Sequence, residues 1–132
     1  MTETIYKYAL NLLKRRPYFI KEMYDKLINK YSVNEVNIAI KMLIYDNYLN
    51  DRILSKLKLD YFIYEKKFGI YYINNYFIKH NISLNLINYL IKNYDQEIFN
   101  TNKNQIVEEL RKKEKTDNYI NNYLLRKGYE IE

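Results

Sequence analysis

The chain has 132 residues, enough for one compact or mildly elongated body and too few for a second large domain. Its 2 glycines and 1 proline, with apolar residues at helical spacing, favour an all-helical protein without strands. Cysteine is absent, which excludes disulfides and thiolate chemistry. No apolar run is long enough for a membrane span and the N-terminus has no leader pattern, so a cytoplasmic protein is expected.

The net charge of +6 is distributed unevenly along the chain. Residues 1–31 contain seven basic and three acidic side chains, residues 32–95 contain eight and six, and residues 96–132 contain seven of each. Phosphates are recognised first through opposite charge. Any contact with nucleic acid is therefore expected in the N-terminal and central segments.

The N-terminal third is predicted to form three helices. The first covers residues 4–15 and ends before Pro17, whose ring disfavours helical geometry at the preceding residue. The second covers residues 18–29, and the third begins at Ser32, which with Glu35 has the spacing of a capping box. The apolar stripes predict these inward residues: Ile5, Tyr8, Ala9, Leu12, Leu13, Ile20, Met23, Tyr24, Leu27, Ile28, Val36, Ala39, Ile40, Leu43 and Ile44.

The central third is predicted to repeat this arrangement. A helix begins after Asn50 or Asp51 as its cap, Gly69 allows a turn, a second helix covers residues 70–79, and a third is capped by Ser83. The predicted inward residues are Ile53, Leu54, Leu57, Tyr61, Phe62 or Tyr64, Ile73, Tyr76, Phe77, Leu84, Ile87, Leu90 and Ile91.

The C-terminal segment is predicted to contain two helices, over residues 98–113 and 116–126, with Gly128 as a left-handed cap. The asparagine-rich residues 99–105 are either a break in the first of these helices or its exposed end. The predicted inward residues are Ile106, Val107, Leu110, Tyr119, Ile120, Tyr123 and Leu124.

A helix-turn-helix phrase recurs at a spacing of about fifty residues, in residues 26–32, 76–83 and 123–129. This repetition predicts three modules, over residues 1–48, 49–95 and 96–132. Only three residues follow the third copy, so the last module is predicted to lack its final helix.

The sequence resembles the RecX family of recombination regulators over nearly its whole length. The more specific motifs are Ala9-x-x-Leu12-Leu13-Lys14-Arg15-Arg16-Pro17, Glu22-Met23-x-x-Lys26-Leu27 and Leu43-x-x-x-x-Tyr48-Leu49-Asn50-Asp51. Further motifs are Lys67-Phe68-Gly69-x-x-x-Ile73, Phe77-Ile78-Lys79 and Ile82-Ser83.

The resemblance implies three tandem three-helix modules in a curved, elongated body. It also implies a monomeric, non-enzymatic regulator without a cofactor, which binds the RecA filament on single-stranded DNA and binds that DNA weakly alone. Such regulators inhibit the ATPase, strand-exchange and coprotease activities of RecA. No membrane association is expected.

The sequence departs from the family pattern at several positions. Asn47 and Asn81 stand where the family usually has glycine, and Ile70 replaces a common proline. Tyr18 and Phe19 replace a serine that usually follows Pro17. The short third module puts in doubt the contacts with a second RecA protomer.

Nine basic residues are the candidates for binding nucleic acid or the RecA filament. Lys14, Arg15 and Arg16 follow one another at a predicted helix end, where they also stabilise the helix dipole. The full set is Lys14, Arg15, Arg16, Lys26, Lys30, Lys56, Lys58, Lys66 and Lys67. Tyr61 and Phe62, between the basic residues of the second group, are interpreted as core residues rather than base-stacking platforms.

The other polar clusters have simpler interpretations. The basic run 111–113 is interleaved with glutamates and is expected to be a solvated face, whereas Arg126 and Lys127 are left open. Asp51 is interpreted as a helix cap and His80 as part of a helix-ending turn, so no catalytic or metal-binding residue is predicted.

Two alternative functions stay open at this point. The protein could bind DNA without RecA, with one helix entering a groove. It could also be a helical scaffold for protein interactions that has no nucleic-acid ligand.

Overall fold

The structure, a computed structural model, describes residues 2–131 and is helical throughout, with eight α-helices, one π-helical turn and no strand within that range. The prediction of an all-helical protein is confirmed. The helices are α1 (Thr2–Leu13), α2 (Ile20–Leu27), α3 (Val33–Tyr45), α4 (Asp51–Asp60), α5 (Ile70–Lys79), α6 (Leu84–Ile91), α7 (Ile98–Lys112) and α8 (Asp117–Lys127), and the π-helical turn, Tyr61–Glu65, continues α4.

Two helices were predicted to begin at a serine cap, and both predictions are confirmed. Ser32 Oγ accepts from the Glu35 N–H, and Ser83 Oγ accepts from the Leu86 N–H at 3.2 Å. Thr116 begins α8 in the same way. Each hydroxyl satisfies an N–H that the first turn of a helix leaves without an internal partner.

The start of α2 differs from its prediction, because the helix begins at Ile20 and the two preceding aromatic residues are buried in an extended segment. Glu22 accepts the Phe19 N–H at 3.0 Å and the Asp51 carboxylate accepts the Ile20 N–H at 2.9 Å. Asp51 therefore caps α2, while the side-chain oxygen of Asn50 accepts the Ile53 N–H in the first turn of α4.

The chain divides into two compact units, Met1–Leu54 and Ser55–Glu132, with the boundary inside α4. In the first unit, α3 packs against α1 and α2. Its core is Ile5, Ala9, Tyr18, Met23, Leu27, Val36, Ala39, Ile40, Leu43 and Leu49. The division into modules 1–48, 49–95 and 96–132 stays a prediction.

In the second unit, α5 packs against α6, and α7 contacts both α8 and the π-helical turn. Asn102 is buried and its side-chain amide donates to the Ile63 carbonyl at 2.8 Å. The asparagine-rich segment is therefore neither a break nor simply an exposed end, because α7 is continuous and buries one of its asparagines. Around α7 and α8 the core is Ile106, Leu110, Ile120, Leu124 and Tyr129.

Several inward predictions are wrong, three of them on α4 and its π-helical extension. Ile53, Leu57 and Tyr61 are exposed, whereas Leu59 and Ile63 are fully buried. The segment carries two apolar stripes, and packing buries the one that contains Leu54 and Phe62, which were predicted, and Leu59 and Ile63, which were not. Four other predicted inward residues are also exposed: Ile28, Ile44, Leu84 and Tyr119.

The 2 glycines of the chain meet where the start of α5 contacts the end of α8. The Gly69 N–H donates to the Lys127 carbonyl at 2.7 Å, and the Tyr71 N–H donates to the Gly128 carbonyl at 3.1 Å. A Cβ on Gly69 would lie 2.3 Å from the Gly128 oxygen, and one on Gly128 would lie 2.4 Å from the Tyr72 nitrogen. Only glycine permits this close approach.

Candidate nucleic-acid interface

The three basic residues after α1 differ in their contacts. Lys14 and Arg15 are exposed. Arg16 pairs with Glu22 at 3.2 Å, and its guanidinium lies 3.8 Å from the centre of the Tyr18 ring. Arg16 therefore helps to hold the segment that leads into α2, while Lys14 and Arg15 are available to a ligand.

The other two candidates of the first unit lie on and after α2. Lys26 is exposed on the helix, and Lys30 is exposed in the turn that follows it. The Lys30 ammonium lies 4.5 Å from the centre of the Tyr8 ring, so the turn after α2 contacts α1. These cations have the exposure that binding a phosphate requires.

Lys56 has internal partners in the second unit. Its ammonium lies 2.7 Å from Asp60 Oδ1 and 3.1 Å from the Tyr94 hydroxyl, which also donates to Asp60. The hydrogen bond to Asp60 raises the pKa of Lys56. A ligand would have to compete with this carboxylate, which makes Lys56 the weaker candidate beside the half-buried Lys58.

Lys66 and Lys67 follow the π-helical turn and precede α5. The exposed Lys66 ammonium lies 5.7 Å from the centre of the Tyr61 ring. Lys67 has a left-handed backbone, with φ of 54°, and its ammonium donates to Gln105 Oε1 on α7 at 2.6 Å.

The contact between α5 and α8 brings Lys127 to this pair. Lys127 Nζ donates to the Lys66 carbonyl at 3.0 Å, and the Tyr129 hydroxyl donates to the Lys67 carbonyl at 2.6 Å. Burial, and then the charge of Lys66, lowers the pKa of Lys127. The role of Lys127 could not be predicted from the sequence, because about sixty residues separate it from Lys66 and no local pattern joins them.

Aromatic rings surround these cations. Phe68 and Tyr72 stack with their centroids 3.7 Å apart, and the Lys127 ammonium lies 4.8 Å from the centre of the Phe68 ring. The interpretation of Tyr61 as a core residue is wrong, since 46% of it is exposed, whereas Phe62 is buried as predicted. A basic and aromatic surface therefore lies within the second unit.

A groove of about 620 Å³ lies between α7 and α8. Its lining carries Lys103 and Arg111 but also Glu97 and Asp117. With cations and carboxylates in equal number, it attracts a polyanion less than the surface around Lys66 does.

His80 has a structural partner, and the described residues offer no metal site. His80 ends α5, and its Nδ1 lies 2.9 Å from the Tyr76 carbonyl. Among residues 2–131, no group of His, Asp and Glu side chains converges in a way that could hold a metal ion. In the same part of the chain, no helix has both the length and the apolar character needed to cross a bilayer.

No protein-family model matches the chain, and no curated protein matches it in sequence. Among solved structures, the crystal structure of regulatory protein RecX is similar to this chain, with a TM-score of 0.82 and 15% sequence identity. The similarity covers 98% of this chain and 67% of that chain. At this identity the likeness establishes the fold, and the chain therefore has the fold of regulatory protein RecX.

Proposed function

We propose that the protein is a RecX-like regulator that binds the RecA filament on single-stranded DNA and lowers its ATPase, strand-exchange and coprotease activities. The observation that carries this proposal is the likeness to the RecX structure, which extends over 98% of the chain at a TM-score of 0.82.

The charge distribution supports the proposal. Lys14, Arg15 and Lys26 are exposed in the first unit, and Lys66 is exposed in the second. Exposed cations of this kind bind phosphates or an acidic protein surface, and they accelerate the encounter with either. The exposed cations therefore fit a filament of protein and nucleic acid.

The proposed mechanism requires no chemical step. A helical protein that contacts neighbouring RecA protomers binds one state of the filament more tightly than the other, and so shifts the filament towards that state. If the favoured state does not complete the ATPase cycle, hydrolysis and strand exchange slow together. In this proposal the protein is a cytoplasmic, non-enzymatic monomer without a cofactor, and its affinity for bare single-stranded DNA is weak.

The test is the ATPase rate of RecA preassembled on single-stranded DNA, titrated with the protein from substoichiometric to equimolar amounts. We expect strong suppression, and we expect the double variant Lys14→Glu/Arg15→Glu to lose it in proportion to its lost filament binding. Reversing the charge of two exposed side chains replaces attraction to phosphate or acidic groups with repulsion.

The matched control is Lys112→Glu/Lys113→Glu, which makes the same change of net charge on α7, where Lys112 is paired with Glu108. It should inhibit like the wild type, and circular dichroism should show that both variants are folded. An unchanged ATPase rate would refute the proposal. Tight binding to bare DNA would then favour a RecA-independent DNA-binding protein, and no DNA binding would favour a scaffold.

A further inference from the structure

We propose that the surface formed by Lys66, Arg126 and Lys127 with the rings of Tyr61 and Tyr72 is a binding site for single-stranded nucleic acid. The cations hold the phosphate backbone, and the exposed rings stack on bases. This set of residues is named the Lys66–Lys127 surface. The proposal rests on the proposed function for its biological setting, but binding is measured without RecA.

The first argument is the absence of charge compensation. Lys67 donates to the neutral Gln105 amide oxygen, and Lys127 donates to a backbone carbonyl. Arg126 and Lys127 lie over the same ring, 5.9 Å and 5.7 Å from the centre of Tyr123. Within the described residues, no ion pair joins these cations or Lys66 to a carboxylate, so a phosphate would supply the missing negative charge.

The second argument is that the fold holds like charges together at a cost. Lys127 is partly buried, and its ammonium donates to the Lys66 carbonyl. Burial and the positive charge of Lys66 both disfavour the charged form of Lys127. Proteins depart from favourable local electrostatics mainly at functional sites, where a ligand relieves the cost. A bound phosphodiester would stabilise both ammonium groups.

The third argument is the exposure of aromatic rings beside the cations. Tyr61 lies next to the Lys66 ammonium and is 46% exposed, and Tyr72 is 37% exposed and stacks on Phe68. Stacking platforms next to lysines are typical of proteins that bind single strands, because every base has a face on which a ring can stack. An acidic protein surface would make no comparable use of these rings.

Capping of α8 explains only part of this arrangement. Arg126 and Lys127 lie in the last turn of α8, where cations stabilise the helix dipole. That role does not account for Lys66, which directly follows the π-helical turn, or for the exposed rings. The basic run on α7 provides the contrast, since Lys112 there is paired with Glu108.

The test measures the binding of the full-length protein to a fluorescein-labelled oligothymidine by fluorescence anisotropy across a salt series. For the double variant Lys66→Met/Lys127→Met we expect a roughly tenfold rise in Kd and a salt slope that is lower by about 1.4, because each phosphate contact on a single strand contributes about 0.7. The single variant Tyr61→Leu should weaken binding with an unchanged salt slope, since it removes stacking and no charge.

The control Lys112→Met/Lys113→Met makes the same change of net charge and should bind like the wild type. If the Lys127 change alters folding, as monitored by thermal melting, the exposed Lys66→Met variant alone should still lower the salt slope by about 0.7. The proposal is overturned if Lys66→Met/Lys127→Met binds oligothymidine like the wild type. It is also overturned if that variant loses only its binding to the RecA filament, because the surface would then recognise protein.

Discussion

Left-handed backbone conformation occurs at five positions among residues 2–131. Two of them are asparagines, Asn47 with φ of 63° and Asn81 with φ of 60°. Asparagine is among the residues that tolerate this conformation. The two asparagines therefore allow the turns that end α3 and α5.

Gly128 has a stricter requirement than the two asparagines, because it combines a φ of 95° with a close contact at Tyr72. We expect Gly128→Ala to lower the free energy of unfolding by about 2 to 5 kcal/mol, from the left-handed strain and the clash together. Urea denaturation measures this change. Asn81→Gly is the control, and it should stay within about 1 kcal/mol of the wild type. Equal stability of Gly128→Ala and the wild type would contradict the observed contact.

At the scale of single helices, the start of α2 shows that a cap need not come from the adjacent sequence. Phe19 occupies the cap position and has no polar side-chain atom, but Asp51 accepts the Ile20 N–H from the start of α4. The carboxylate also lies at the positive end of the α2 dipole. The start of α2 is thereby capped from within the same unit.

Removing this contact should destabilise α2. We expect Asp51→Ala to lower the free energy of unfolding by about 0.5 to 2 kcal/mol, the range observed for the loss of a helix cap. Asp25→Ala is the control, because Asp25 forms an exposed pair with Lys21 that is worth at most a few tenths of a kcal/mol. Thermal melting of both variants distinguishes them, and equal melting temperatures would show that Asp51 does not act as a cap.

At the scale of the whole molecule, the second unit depends on a buried polar contact. The π-helical turn presents the Ile63 carbonyl, and the buried Asn102 side chain donates to it from α7. Because a buried carbonyl without a donor is costly, this hydrogen bond specifies how α7 packs on the turn. The same packing lets the Lys67 side chain reach Gln105 on α7.

We expect Asn102→Ala to destabilise the second unit by about 1 to 3 kcal/mol, since the Ile63 carbonyl loses its donor. Hydrogen exchange should show the loss of protection in α7 and in the π-helical turn. Asn104→Ala, at an exposed position on the same helix, should leave exchange unchanged. If the two variants behaved alike, Asn102 would have no special role in the packing.

Much of the helical structure could be predicted because its determinants are local. Ser32 and Ser83 cap the helices for which they were predicted, and Gly128 is the left-handed cap of α8. Hydroxyl caps satisfy backbone groups two or three residues away, and glycine permits positive φ on its own. Such signals need no knowledge of distant residues.

The candidate site was less predictable. Lys14, Arg15, Lys26 and Lys66 are exposed as a binding role requires, but Lys56 has an internal carboxylate partner and Arg16 is paired with Glu22. Whether a lysine has a partner depends on which surfaces come together. Charge counts along the chain carry no such information.

By itself, the sequence determined that the chain is helical, where most helices begin and end, and which segments are basic. The tertiary structure alone decided which apolar stripe of α4 is buried and which helix Asp51 caps. It also decided that the Lys127 ammonium contacts the Lys66 carbonyl. The physical reason is the range of the interactions. Helical periodicity and capping act over a few residues, whereas burial and the meeting of distant charges depend on the packing of the whole unit.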